Sequence, residues 1–253
     1  MSYESAITRT IRYAHQFGVR LLPSATTDRL ISPRYYRLSN KYTQDSNNQP
    51  NPVYNQKLKI VQNFARQIKY NFPDILLLAV TGSVAAKYPR PGDDIDFLII
   101  TRPHTLWLTR LRLLLFLHRC HFSFRRFNQK ESANLFCFNL WLDQTNLSLP
   151  PSKRLLRNAV DLVLLIPLID HDHLYQHFLL ANSWAKKYVC TPYTNLLNKT
   201  KYYHFSPLSK GEIKKGISFV NSIAFLAQLI YMLPKITTET ITLHSAFFHP
   251  KRV

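Results

Sequence analysis

The stretch Ile75–Thr101, ILLLAVTGSVAAKYPRPGDDIDFLIIT, constrains the fold more than any other part of the chain. Ile75 to Val80 is a continuous apolar run of the length of a buried strand. Thr81-Gly82-Ser83 follows at once, and Gly82 lets the backbone come close to a ligand. Ser83 and the next amides open a short helix whose N–H groups face an anion. Pro89, Pro91 and Gly92 end that helix. Asp94-Ile95-Asp96-Phe97-Leu98-Ile99-Ile100 then reads as a second strand carrying two acids.

Alternate strand residues share a face, so Asp94 and Asp96 point the same way while Ile95 and Phe97 point into the core. Asp93 falls on the other side, as a turn or capping residue. Two carboxylates on one face repel each other unless a cation sits between them. Oxygen donors of this kind suit magnesium, which keeps waters and substrate phosphates as its other ligands. The alternative is a surface turn with solvated acids, which accounts for neither the apolar flanks nor the shared face.

An apolar strand, Gly-Ser, about ten residues and Asp-x-Asp in a second apolar strand together resemble the signature of the nucleotidyltransferase superfamily, the polymerase-beta-type fold. Gly82, Ser83, Asp94 and Asp96 match it position by position. The resemblance implies an α+β fold: a small mixed-sheet nucleotidyltransferase core over 56–150, an N-terminal helical segment over 1–45 and a C-terminal helical region over 151–253. It implies Mg2+ on Asp94 and Asp96, and a nucleoside triphosphate whose β- and γ-phosphates lie on Gly82 and Ser83. It also implies a third acid on a neighbouring strand. In Asn134–Asp143, NLFCFNLWLD, alternation places Cys137, Asn139, Trp141 and Asp143 on one face. Asn139 stands mid-strand where that acid is expected. An asparagine offers a carbonyl oxygen but cannot act as a base, so an inactive scaffold remains an alternative.

The charge balance agrees with a polyanionic partner. Lys and Arg number 33 against 14 Asp and Glu, a formal charge of +19. Nucleotide, nucleic acid or an acidic membrane surface would be drawn to it. Cys120, Cys137 and Cys190 lie far apart, which argues against a zinc-type Cys site or a disulfide framework and for a reducing compartment, read here as the cytoplasm. No charged-then-apolar signal pattern opens the chain. Ile217–Leu233 is apolar, but Ser218, Asn221, Ser222 and Gln228 interrupt it and it is short for a bilayer. It reads as a buried or amphipathic helix, with no membrane span.

Elsewhere, Ser5–Phe17 has a helical apolar period, with Gly18 as its C-cap. Ser24–Ile31 reads as a second helix, and Tyr35 and Tyr36 as a short strand. The trio resembles an abbreviated form of the winged-helix unit that precedes the catalytic module in some bacterial predicted nucleotidyltransferases; LIPLID and NSWAKKY farther on also resemble segments of those proteins. A helix-pair scaffold is an equal reading. Lys41–Asn55 is a polar linker. Gln56–Tyr70 is a helix with Leu58, Val61, Phe64, Ala65 and Ile68 on one face and Lys57 mostly elsewhere. Thr105–Arg119 is an apolar helix on which Arg110 and Arg112 either reach a triphosphate or form a solvated, salt-bridged face. His118–Lys130 is basic, with Phe122, Phe124 and Phe127 interleaved. The pattern suits RNA or a strand packing inward. Ser152–Leu165 is a helix ended by Pro167, and Asp161 within it is either a late third acid or an arginine partner. Asp170–His173 leads a helix over Leu174–Tyr188, either as dipole-favouring acids with surface histidines or as a metal group. Thr191–Ser206 reads as a loop, Lys210–Leu233 as the last helix, and Phe247 and Phe248 as pins for the tail.

Three functions follow. The first is magnesium-dependent transfer of a nucleotide from a nucleoside triphosphate to a hydroxyl acceptor. The second is an inactive nucleotidyltransferase-like module binding nucleotide or nucleic acid. The third is a regulator whose helix pair binds DNA or a partner protein.

Overall fold

The structure, a computed structural model, describes residues 3–17, 19, 21, 23–32, 52–126, 129, 132–200, 215–237 and 239–248. Tyr35, Tyr36, Gly18, Phe127 and most of the expected linker lie outside the described residues. The chain divides into two compact units. One holds the sheet and is drawn from Val53–Leu147, Ile166–Tyr175 and Ser206–Val253. The other is drawn from Met1–Pro52, Ser148–Leu165 and Gln176–Phe205.

The sheet unit is α+β. Its strands are β1 (Ile75–Val80), β2 (Ile95–Thr101), β3 (Phe136–Asp143), β4 (Ile166–Asp170), β5 (Thr240–Ile241) and β6 (Ser245–Phe247). They lie in the order β4-β1-β2-β3-β6-β5, and only β2 and β3 pair in parallel. Three strands therefore come from sequence beyond residue 150, which read as purely helical. β4 was hidden by Pro167, whose missing N–H ends a helix but is tolerated on an edge strand. The apolar runs of β1 and β2 are buried almost throughout, as a central pair requires.

Beside the sheet lies α2 (Pro52–Asn71), opened by a proline that suits a first helical position. Its buried residues are Lys57, Val61, Phe64, Ala65 and Ile68. Phe64 is the hub of an aromatic cluster, its ring centroid 4.5 Å from Phe136, 5.4 Å from Phe97 and 5.6 Å from Phe122. Phe122 and Phe124 pack against this core. The described aromatics of the basic loop thus face inward.

α3 (Gly82–Ala85) is one short turn, and α4 (Leu106–Arg119) follows β2. α4 touches β2, β3 and α8 (Lys215–Met232). The α4–α8 contact inverts the pattern expected of an apolar helix. The buried positions on α8 are Asn221, Ala224, Gln228 and Met232, spaced as one helical face. Phe219, Ile223, Leu226, Ile230 and Tyr231 are all more than half exposed. Asn221 Oδ1 accepts from Trp107 N at 2.8 Å and Leu108 N at 3.1 Å, satisfying amides that the first turn of α4 leaves without partners. Gln228 Nε2 donates to Trp107 O at 2.8 Å and to Ala224 O at 3.0 Å. The residues that interrupt the apolar run are thus its inward face. By length and composition alone, Gly216–Lys235 could also cross a membrane.

In the other unit, α1 (Tyr3–His15) is followed by a 3-10 turn, Pro23–Thr26, where a second helix was expected. Thr26 Oγ1 donates back to Pro23 O at 2.7 Å and closes that turn. α5 (Leu156–Leu164) and α7 (Cys190–Thr200) are here with most of α6 (Leu174–Ala181). A 3-10 turn, Ser183–Lys187, replaces the second half of the long helix expected over Leu174–Tyr188. Asn182, wholly buried, makes the break. It donates to Phe178 O at 2.8 Å and accepts from Leu149 N at 2.8 Å and Trp184 Nε1 at 3.0 Å. α7 replaces a loop expected from its polar composition. Tyr193, buried, donates from its hydroxyl to Leu179 O at 2.8 Å and holds the helix by tertiary contact.

The inverted face of α8 gives a measurable asymmetry. Asn221→Ala, which strands two buried N–H groups, should destabilise the sheet unit by about 1–3 kcal/mol. Ile223→Ala on the exposed apolar side should stay within about 0.5 kcal/mol. Denaturant midpoints of the two variants check the ranking, and a larger loss at Ile223 would contradict it.

Candidate metal and phosphate site

The acids and the glycine turn meet. Thr81 N donates to Asp96 O at 2.9 Å, which ties the end of β1 to β2 where the turn begins. Gly82 then adopts φ +65, a left-handed conformation natural to glycine. A Cβ there would lie 2.5 Å from Asp96 Oδ2, so the turn presses directly against that carboxylate. Ser83 follows, half-buried, in the first turn of α3.

Asp94 stands just ahead of β2 and is buried; Asp96 is half-buried within it. One ligand atom from each, and Cys137 Sγ, lie within 4.8 Å of one another. The shared face expected of the two acids is therefore present. Asp93 behaves as a turn residue, its Oδ2 accepting from Arg90 N at 2.9 Å.

Protein groups hold both carboxylates. Arg125 Nη1 lies 3.0 Å from Asp94 Oδ2 and 3.6 Å from Cys137 Sγ. Asn139 Nδ2 donates to Asp96 Oδ1, and the Cys137 thiol donates to Asn139 Oδ1 at 2.7 Å. Burial, together with the nearby Asp96 and Asp94 charges, pushes the Cys137 thiol well above its usual range. In the metal-free chain it acts as a hydrogen-bond donor.

The face assigned to β3 needs correcting at Trp141 and at Asp143, which pair with Ile99 and Thr101 and so lie on the face opposite Cys137. β2 and β3 are in register as Asp96 with Cys137 and Phe97 with Phe138, but Leu98 then faces Leu140. Asn139 is the extra residue of a bulge, which shifts the alternation by one. Trp141 consequently joins Phe136 and Phe138 in the core, and its Nε1 donates across the bulge to Phe138 O at 3.2 Å. Cys137 and Asn139 keep to the side of Asp96.

Arg110 does not join this group. Its guanidinium donates to Gln228 Oε1 and lies 4.7 Å from the Phe248 ring centroid and 5.7 Å from that of Trp107. Burial pushes its pKa down to about 10, which leaves it charged at neutral pH. Arg112 pairs with Asp74 at 3.2 Å, the salt-bridged reading of that helix. Asp161 lies in the other unit, 3.9 Å from Arg157 one turn earlier on α5. Asp170 Oδ1 accepts from Tyr175 N at 3.0 Å, the helix-start role expected there.

Lys57 is the residue that pattern reading missed. It is wholly buried, and its Nζ donates to Asp93 O at 2.6 Å and Asn134 Oδ1 at 2.9 Å. Burial lowers its pKa, against the pull of Asp93 and Asp94. The signal was its place four residues before Val61 and seven before Phe64, on the apolar stripe itself.

The chain matches no family model, no curated protein and no solved structure.

Two outcomes follow from this packing. Gly82→Ala meets both the positive φ and the Asp96 contact, and should cost about 1–3 kcal/mol in a denaturant titration. In the native protein, Cys120 and Cys190, both exposed, should take up a thiol reagent while Cys137 resists until the chain unfolds. Peptide mapping after alkylation reads this directly, and equal labelling of all three would contradict it.

Proposed function

We propose that this protein is a magnesium-dependent nucleotidyltransferase, moving a nucleotide from a nucleoside triphosphate to a hydroxyl acceptor. The observation that carries the reading is the contact of the Gly82 turn with Asp96, beside Asp94. The donor chemistry fits, since two carboxylates are the oxygen ligands a hard cation takes. Asp94 and Asp96 would hold the ion, and the Gly82–Ser83 turn would receive the triphosphate. A magnesium ion bound there would neutralise the phosphate charge that builds as the bond changes.

In this reading the acceptor oxygen attacks the α-phosphorus, the bond to the β-phosphate oxygen breaks and pyrophosphate leaves. Asn139 cannot take the acceptor's proton, which passes to solvent. Its amide instead orients Asp96. Arg125 must yield part of its hold on Asp94 when a cation enters. The protein's contribution is thus positioning and charge compensation rather than general-base catalysis. The +19 charge favours RNA or another polyanion as acceptor.

A second reading is favoured by one specific observation. Arg125 on Asp94 and Asn139 on Asp96 compensate both acids without a metal. An inactive module binding nucleotide or nucleic acid would have this arrangement.

Labelled nucleoside triphosphates, magnesium and total RNA separate the two. Asp94→Ala/Asp96→Ala should lower label transfer by about 1000-fold or more, the scale of several kcal/mol of lost charge stabilisation. RNA binding that needs no magnesium, with no transfer by the wild type, would select the inactive module. Asn139→Asp gives an independent check by calorimetry. A third carboxylate should raise magnesium affinity about tenfold or more if a cation belongs at Asp94 and Asp96. Unchanged affinity would count against the metal.

A further inference from the structure

A second group of ligand-type side chains lies at the far end of β3. Asp143 is the last residue of that strand and is wholly buried. His104 precedes α4, and His244 sits in the turn between β5 and β6. One ligand atom from each of the three lies within 4.8 Å of the others. We propose that His104, Asp143 and His244 form a zinc site, with water as the fourth ligand, that staples the β5–β6 hairpin to the end of β3 and the start of α4.

The carboxylate is already aimed. Asp143 Oδ1 accepts from Thr145 N at 2.8 Å and Thr145 Oγ1 at 2.6 Å. Its Oδ2 accepts from His104 N at 2.5 Å. Such outer contacts orient a metal-binding carboxylate. The backbone brings His244 to the same place, because Asp143 N donates to His244 O at 3.0 Å. His104 has φ 57, an uncommon conformation for a residue with a side chain. That conformation carries its imidazole to the shared carboxylate, and the two rings meet nearly at right angles, 5.3 Å between centroids.

The spacing is that of two ligands of one ion. His244 Nδ1 lies 3.5 Å from Asp143 Oδ2. A charge-assisted hydrogen bond would draw them to about 2.7–2.9 Å. Two ligands about 2.0–2.1 Å from one ion lie about 3.3–3.4 Å apart at the tetrahedral angle. An ion pair also leaves the second imidazole unexplained. Two imidazoles and a carboxylate are a zinc donor set, whereas magnesium prefers oxygen alone.

The test uses the full chain with excess magnesium, which loads oxygen sites and leaves imidazoles open. Titration with Co2+ should give one equivalent of the intense visible absorption of a tetrahedral site, without thiolate charge transfer, and Zn2+ should displace it. His104→Asn and His244→Asn should each weaken Co2+ binding by more than about 100-fold, with far-UV circular dichroism unchanged. Asparagine tolerates the left-handed conformation at 104. X-ray absorption of zinc-loaded wild type should report two imidazoles and light-atom ligands. Absence of the tetrahedral absorption, persistence of it in both variants, or sulfur around the zinc would overturn the site. The readout involves no nucleotide transfer, so its failure and that of the proposed function are separate results.

Discussion

Two carboxylates whose oxygens approach within 4.8 Å, one buried and one half-buried, cannot stand uncompensated. Like charges at that distance in a poorly hydrated setting repel by several kcal/mol. Much of the sheet unit is arranged around that constraint. The segment after α4 turns back to place Arg125 on Asp94. β3 spends a bulge at Asn139, whose amide reaches Asp96. α2 surrenders a position on its apolar stripe to Lys57, which holds the Asp93 carbonyl and Asn134. Each is costly alone: a buried lysine, a broken register and a half-buried arginine paired with a buried aspartate. Together they compensate the polar groups gathered around Asp94 and Asp96.

The legible parts of the fold were those where one local signal decides. β1 and β2 are unbroken apolar runs, and the turn between them carries its own glycine and prolines. The face of α2 from Val61 to Ile68 follows the helical period. What escaped depends on partners distant in sequence. Pro167 reads locally as a stop, and only pairing with β1 makes it part of an edge strand. The polar Cys190–Thr200 helix is fixed by Tyr193, which bonds a carbonyl fourteen residues away. The bulge at Asn139 has no local signature, so Trp141 fell on the wrong face. Of the candidate site, Gly82, Ser83, Asp94, Asp96 and Asn139 were legible. Arg125 was not, since charge gives no hint of which acid a cation will find, and Lys57 was passed over although its place on the apolar stripe marked it as buried.

α8 shows how hydropathy can point the wrong way. A stripe of Asn221, Ala224 and Gln228 looks like a flaw in an apolar helix, yet Asn221 and Gln228 bond to the first turn of α4. Helix ends carry unpaired amides, and a buried end needs donors and acceptors more than it needs hydrocarbon. The same seam explains Arg110. Gln228 gives its amide to Trp107 O and its carbonyl to Arg110, so the guanidinium is held between Trp107 and Phe248. A cation that sequence proximity assigns to phosphate is used to join two helices and the chain's last described strand segment.

β3 links the two ligand groups, and its length keeps them independent. Cys137 and Asn139 serve the acid pair, while Asp143 ends the strand. With Asn139 bulged out, Cys137 and Asp143 lie opposite Asp96 and Thr101, five strand positions apart, or about 17 Å at about 3.3 Å per residue. That distance prevents a single ion from drawing on both groups. The donor sets differ in kind as well. Carboxylates beside a glycine turn suit a hard cation that shares its coordination with phosphate. Two imidazoles and an oriented carboxylate suit a borderline ion held for itself. The two groups on this one strand therefore differ in donor chemistry as well as in place.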